Sequence, residues 1–185
     1  MRIAILCAGG VGGYFGALLA RAGHDVVLYA RGENLAAIRA NGITIRDANG
    51  SFTVPIGATN SPTELSGADF TIVAVKSYSL SEVAPVARDL ALAGSVIVPL
   101  LNGVEAADDL QRAGVPRTQL LGGQTNVSAF KAEPGVIQRA LWRERIVVGE
   151  LDGVLSERAT RLVEALRSAD IDAIATTNIV VELWR

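Results

Sequence analysis

Arg2-Ile3-Ala4-Ile5-Leu6-Cys7-Ala8-Gly9-Gly10-Val11-Gly12-Gly13-Tyr14-Phe15-Gly16 is the stretch whose reading decides the fold. An apolar run, a turn of small residues and the start of an amphipathic helix follow one another, the setting in which a glycine-rich turn holds a dinucleotide. Each glycine of such a turn has a mechanical task. The first permits the tight turn, the second lets a diphosphate approach the backbone, and the third lets the helix pack on the strand. Gly9 and Gly12 take the second and third places, and Cys7 takes the first. Cysteine is small, yet a side chain there gives up the freedom for which glycine is the usual solution. Cys7, Ala8, Gly9, Gly10, Val11 and Gly12 therefore read as an altered but usable phosphate-binding fingerprint. A glycine-rich turn without a ligand is the other reading.

Working outward, β-branched runs alternate with helical stretches, the pattern of a parallel sheet wrapped by helices. Helices are expected over residues 11–22, from Gly32 to near Arg39, 79–92, 104–112 and 156–168, and strands over 3–6, 25–29, 70–75, 95–100 and 171–175. Asn49-Gly50 between two short alternating runs signals a hairpin, read as a decoration of the sheet edge. Strands over 136–140 and 145–149 have connections too short for crossover helices, so this later part is expected to be antiparallel. The fold class expected is α/β, a Rossmann-type doubly wound and mainly parallel sheet with some antiparallel strands in its second half. Residues 1–175 read as one dinucleotide-binding domain, and 176–185 as the start of a helix leading onward. Thr177-Asn178 opens that helix, and the residues after it are apolar on both sides with no C-terminal cap, so it should continue or dock against something.

Composition bounds the function. With 185 residues, half of them hydrophobic, the chain can bury a sizeable core. A net charge of −2 gives no reason to expect nucleic acid or an anionic membrane as partner. No apolar run approaches the ~20 residues of a membrane span, and the apolar start is too short for a signal peptide. Cys7 is the sole cysteine, which excludes an internal disulfide and a cysteine-rich zinc site and fits a reducing, cytoplasmic setting. His24, the only histidine, falls in a turn and reads as a surface residue. The basic residues are nearly all arginine; the only lysines are Lys76 and Lys131.

In open α/β sheets ligands bind at the carboxyl ends of strands, and three such ends carry candidate chemistry. After the second strand, Asp or Glu would hold both ribose hydroxyls of NAD, whereas arginine accommodates the 2′-phosphate of NADP. Here the chain has Ala30-Arg31-Gly32, and Glu33 lies beyond the turn, where it serves the next helix's N-terminus. Arg31 points to NADP, with a solvated loop arginine as the alternative. Lys76 ends the apolar run Phe70-Thr71-Ile72-Val73-Ala74-Val75 and either snorkels to solvent or is held near an anion. Asn102, after Val98-Pro99-Leu100-Leu101, offers a donor and an acceptor at the same edge, or else is a plain Asn-Gly turn.

The turn 8–16, Ala30-Arg31-Gly32, Val75-Lys76-Ser77-Tyr78, Leu101-Asn102-Gly103-Val104 and Pro134-Gly135, in that order, together resemble the ketopantoate reductase family. The resemblance implies an N-terminal Rossmann-type domain that binds NADPH and a C-terminal helical domain closing over a small 2-oxo acid, 2-dehydropantoate, reduced to pantoate. It implies that Gly9 and Gly12 cradle the diphosphate, Arg31 meets the 2′-phosphate, Lys76 lies near cofactor and substrate, and Asn102 lines the nicotinamide side. Lys76 and Asn102 would have supporting catalytic roles. The family's principal lysine follows a tryptophan in the helix joining the domains, and here Val181-Glu182-Leu183-Trp184-Arg185 ends about where it would come. The helical domain would then lie outside these residues. Cys7 replaces the family's usual first glycine, and Arg139 stands where many relatives have histidine. Reduction of another 2-oxo acid, and a dinucleotide-sensing module without turnover, are the alternative functions.

Overall fold

A computed structural model describes residues 1–101, 103–140 and 144–184. The opening stretch forms strand β1 (Arg2–Leu6) and helix α1 (Gly10–Arg21), followed by β2 (Asp25–Tyr29) and α2 (Gly32–Asn41). Next come β3 (Ile43–Asp47), β4 (Gly50–Val54) and β5 (Gly57–Thr59), then β6 (Phe70–Val73), α3 (Leu80–Leu92) and β7 (Val96–Pro99). β1, β2, β5, β6 and β7 form a parallel sheet in the order β5-β2-β1-β6-β7. The chain leaves β1 toward one edge and returns to pair β6 on its other side. That reversal creates a crevice beyond the carboxyl ends of β1 and β6.

The strands of this sheet alternate between two apolar layers, as a period of two requires. Ile3, Ile5, Phe70, Ile72, Val96 and Val98 join the cluster that contains α1, whereas Ala4, Leu6, Val73 and Ile97 join the cluster that contains α3. Helices on both faces make the sheet doubly wound. Thr71 and Ser95, polar and buried, satisfy each other through a 2.8 Å hydroxyl pair.

The second half continues with α4 (Ala106–Arg112), β8 (Gly122–Thr125), β9 (Ala129–Glu133), β10 (Val136–Arg139), β11 (Arg145–Gly149), α5 (Glu157–Ser168), β12 (Asp172–Ala175) and α6 (Ile179–Glu182). These strands do not complete one sheet, as the sequence reading expects. β12-β11-β8 is a separate three-stranded sheet, antiparallel between β8 and β11, that meets the edge of β7 through the Ile97–Leu120 bridge.

The hairpin β3–β4 forms as its Asn49-Gly50 turn demands, but it does not decorate the edge of the main sheet. It belongs to a four-stranded sheet, β4-β3-β10-β9, laid across α1. Ile43, Ile45 and Ile137 turn inward from this second sheet onto the helix, and their burial is what holds the hairpin there. A Cβ on Gly13 would stand 2.9 Å from Ile137 Cδ1, so the helix presents a glycine where the two layers come closest. β5, β8 and β9, polar or glycine-rich, escape the sequence reading because their pairing partners, not their own pattern, make them strands.

Candidate functional site

The fingerprint turn stands at the crevice, and each of its small residues has a spatial reason. A Cβ on Gly12 would overlap the carbonyl oxygen of Cys7 and lie 2.9 Å from Ile5 Cγ2, so helix α1 packs on β1 only because Gly12 lacks a side chain. On Gly10 a Cβ would fall 2.6 Å from the carbonyl carbon of Ala129 and 2.8 Å from Phe130 Cα, because β9 crosses directly over the first turn of α1. Gly9 differs: its Cβ would meet only Cys7 Sγ, at 3.3 Å, and its remaining surroundings are open. Cys7 itself has φ +98°, a conformation that glycine adopts freely and an L side chain does not.

Among the described residues, helix α1 begins without a capping side chain or an acid in its first turn. Its first intrahelical bond is donated by Gly13 N–H to the Gly9 carbonyl at 2.7 Å, so the N–H groups of Gly10, Val11 and Gly12 have no acceptor within the helix. Gly9 at the N-cap supplies no side-chain bond, and the first turn holds no acid. Free N–H groups and the helix dipole together suit an anion. A dinucleotide diphosphate therefore fits the turn.

Two adjoining clefts open on either side of it. The first, of about 250 Å³, runs from Ala8 and Gly9 to Arg31, Asn34 and Glu82. The second, of about 300 Å³, runs past Gly10 and Val11 to Lys76, Leu101 and Phe130. Cys7, Gly9, Val75 and Lys131 line both. Burial pushes the Cys7 thiol above its ordinary value, with the Gly9 N–H, Lys131 and Arg31 pulling it back.

Arg31 occupies the N-cap position of α2 at the end of β2, without a side-chain capping bond, and its guanidinium lies over the Tyr29 ring and pairs with Glu82 at 3.3 Å. Both partners remain more than half exposed, so the pair is weak and open to exchange. Glu33 sits in the first turn of α2, as expected. Lys76 follows β6, exposed, at the start of a short 3₁₀ turn (Ser77–Ser79). Asn102 lies outside the described residues; its neighbour Leu101 lines the second cleft. His24 is half-buried in its turn, 2.9 Å from Ser168 Oγ.

Asn34, Glu82 and Lys131 line the clefts and were not singled out from sequence as site residues. Asn34 ties the fingerprint to the second sheet, donating to the Ala8 carbonyl at 3.0 Å and accepting from Gly135 N–H at 2.9 Å. Nothing in the pattern of α2 or α3 marks Asn34 or Glu82. Lys131 had a signal in its rarity. Arg139, by contrast, lines neither cleft. It lies between Asp47 and Glu144 and over the Tyr14 ring, and Tyr14 donates to Glu144 at 2.6 Å. That cluster fastens the second sheet to α1. Burial, then the bond to Glu144, push the Tyr14 phenol well above its ordinary range.

Comparison with known proteins gives this arrangement a lineage. The family described as ketopantoate reductase PanE/ApbA matches residues 3–153. Over its whole length the chain is 30% identical to the uncharacterized oxidoreductase YkpB of Bacillus subtilis, covering 60% of that protein. It is 32% identical to the 2-dehydropantoate 2-reductase of Pyrococcus abyssi, covering 59% of it. The crystal structure of 2-dehydropantoate 2-reductase from Porphyromonas gingivalis W83 superposes with a TM-score of 0.89 at 32% identity, over 99% of this chain and 66% of that one. The chain thus spans about 60% of the length of the curated relatives it matches. With the family's pattern matched from the fingerprint strand through β11, the chain belongs to the ketopantoate reductase PanE/ApbA family.

Proposed function

We propose that these residues form the NADPH-binding part of a reductase that converts 2-dehydropantoate to pantoate. The observation that carries the reading is the uncapped, acid-free N-terminus of α1 opening on two clefts, with Arg31 lining one and Lys76 the other. The diphosphate takes the N–H groups of Gly10, Val11 and Gly12, with Cys7, Ala8 and Gly9 beneath it. Arg31 exchanges Glu82 for the 2′-phosphate, a charge-assisted contact stronger than the exposed pair it replaces. Lys76 and Asn102 serve the nicotinamide end, where an ammonium and an amide hold the ring and the substrate's oxygens.

The bound cofactor supplies the hydride, and the protein supplies orientation and charge. In this reading the proton for the developing alkoxide comes from the family's lysine after Trp184, and the helical domain that positions the 2-oxo acid belongs to the rest of the reductase. The 185 residues alone then bind cofactor without turning it over. Orientation and proton donation together account for many orders of magnitude in rate.

Calorimetric titration of this chain with NADPH and NADH tests the binding, and absence of binding by either refutes the reading. A chain extended through the lysine and helical domain, assayed against 2-dehydropantoate and a panel of other 2-oxo acids, tests the substrate. Turnover by the 185-residue chain alone would assign the proton donor to Lys76 or a neighbour.

A further inference from the structure

We infer that Lys131 is a second cation on the cofactor's diphosphate, set above the fingerprint turn by strand β9. The inference rests on the cofactor reading above and names a contact that the sequence motifs do not contain.

The two lysines are set apart from the other basic groups. Every ion pair found among the described residues uses an arginine as its cation, and neither Lys76 nor Lys131 is paired. Both nevertheless line the same groove, Lys76 from the end of β6 and Lys131 from β9. Two unpaired ammonium groups lining one groove raise the local concentration of an anion within it.

Backbone geometry fixes where Lys131 starts. β9 lies so close to the first turn of α1 that Gly10 has no room for a Cβ against Ala129 and Phe130. Residues two apart on a strand share a face, so Lys131 stands on the side of Ala129, over the turn. Lys131 pairs with Ile137, a fully buried anchor of the second sheet, beside the register shift between Val136 and Ile137.

Position along the groove says which phosphate is met. Lys131 lines both clefts, and so do Cys7 and Gly9. The junction of the two clefts is where a diphosphate joins the two halves of a dinucleotide. Arg31 lines the first cleft only and is placed for the 2′-phosphate instead. The field of Lys131 reaches the junction, since it acts on the Cys7 thiol.

The test titrates NADPH, NADH and inorganic diphosphate into this chain and into its Lys131→Met, Lys131→Arg and Arg112→Met variants, at low and moderate salt. Lys131→Met should weaken all three ligands roughly tenfold, as expected for one charge-assisted contact. The loss should shrink as salt rises. Lys131→Arg should restore most of it, and Arg112→Met, an exposed arginine lining neither cleft, should change nothing. Unaltered binding in Lys131→Met overturns the inference while leaving the cofactor reading in place. A loss confined to NADPH also overturns it, by putting Lys131 on the 2′-phosphate. Lys131-dependent binding of diphosphate without any dinucleotide binding would uphold the anion contact and sink the cofactor reading. Binding of none of the three ligands would sink both.

Discussion

Replacing Cys7 separates two effects that the sequence alone runs together, strain in the turn and bulk in the groove. The residue has φ +98°. Holding an L side chain in left-handed territory costs roughly 1–2 kcal/mol, and glycine avoids that cost. Glycine also gains freedom in the unfolded chain, which offsets roughly 0.4–1 kcal/mol of the benefit. Alanine removes the thiol and keeps the strain, so the comparison of Cys7→Gly with Cys7→Ala isolates the backbone. The glycine variant should be the more stable by roughly 1 kcal/mol, about 2–4 °C in Tm for a chain of this size. Affinity follows a different rule. Strain carried equally by the free and bound forms cancels in a binding constant, so only the side-chain volume of Cys7, a residue lining both clefts, can matter. Both variants should bind NADPH more tightly than the parent, and by the same factor. Thermal melts and calorimetry on the three proteins decide. If Cys7→Ala is as stable as Cys7→Gly, the turn is not strained and the reasoning fails. Unequal affinities for the two variants would show that the turn moves on binding.

Arg31→Ala should remove most of the preference for NADPH over NADH, while Glu82→Gln, which frees Arg31 and takes a negative charge from beside the 2′-phosphate, should strengthen NADPH binding and leave NADH nearly unchanged; calorimetry showing equal affinity of the parent chain for both cofactors refutes this. Gly10→Ala should lower stability by about 1–3 kcal/mol in urea titrations, because the added methyl meets β9 backbone and no flexible side chain. Glu150 is held below its ordinary value of 4.5, chiefly by the Arg158 guanidinium, which donates to it twice at 2.6 Å. The carboxylate form is thus the one the fold favours. Its contribution is present above the unfolded value and is lost as pH falls through the lowered folded one. Urea titrations between about pH 3 and pH 7 should show the parent losing stability on acidification more steeply than Glu150→Gln, and parallel profiles would refute the assignment.

Much of the fold was legible because it is local. Strand β1, the glycine turn and α1 follow from an apolar run, small residues and a helical period within one stretch, and the 25–29 strand is bounded by its own turn signals. Arg31 and Lys76 were legible as strand ends, since the sheet puts every such end on one side. The hairpin at Asn49-Gly50 was equally plain as a hairpin. Its destination was not. That β3 pairs with β10, more than eighty residues later, depends on Ile43, Ile45 and Ile137 finding the same helix face, and no local pattern encodes a shared face.

The groove divides in the same way. Sequence alone determined the glycine-rich turn, its departure at Cys7 and the arginine after β2, because backbone geometry and strand order need only neighbouring residues to be read. Tertiary structure alone decided that Arg31 faces Glu82, that Asn34 bridges Ala8 to Gly135, that Arg139 joins the cluster fastening the second sheet to α1, and that Lys131 lines both clefts. Each of these depends on two segments far apart in the chain being pressed together by the burial of apolar side chains, a force proportional to area and indifferent to sequence position.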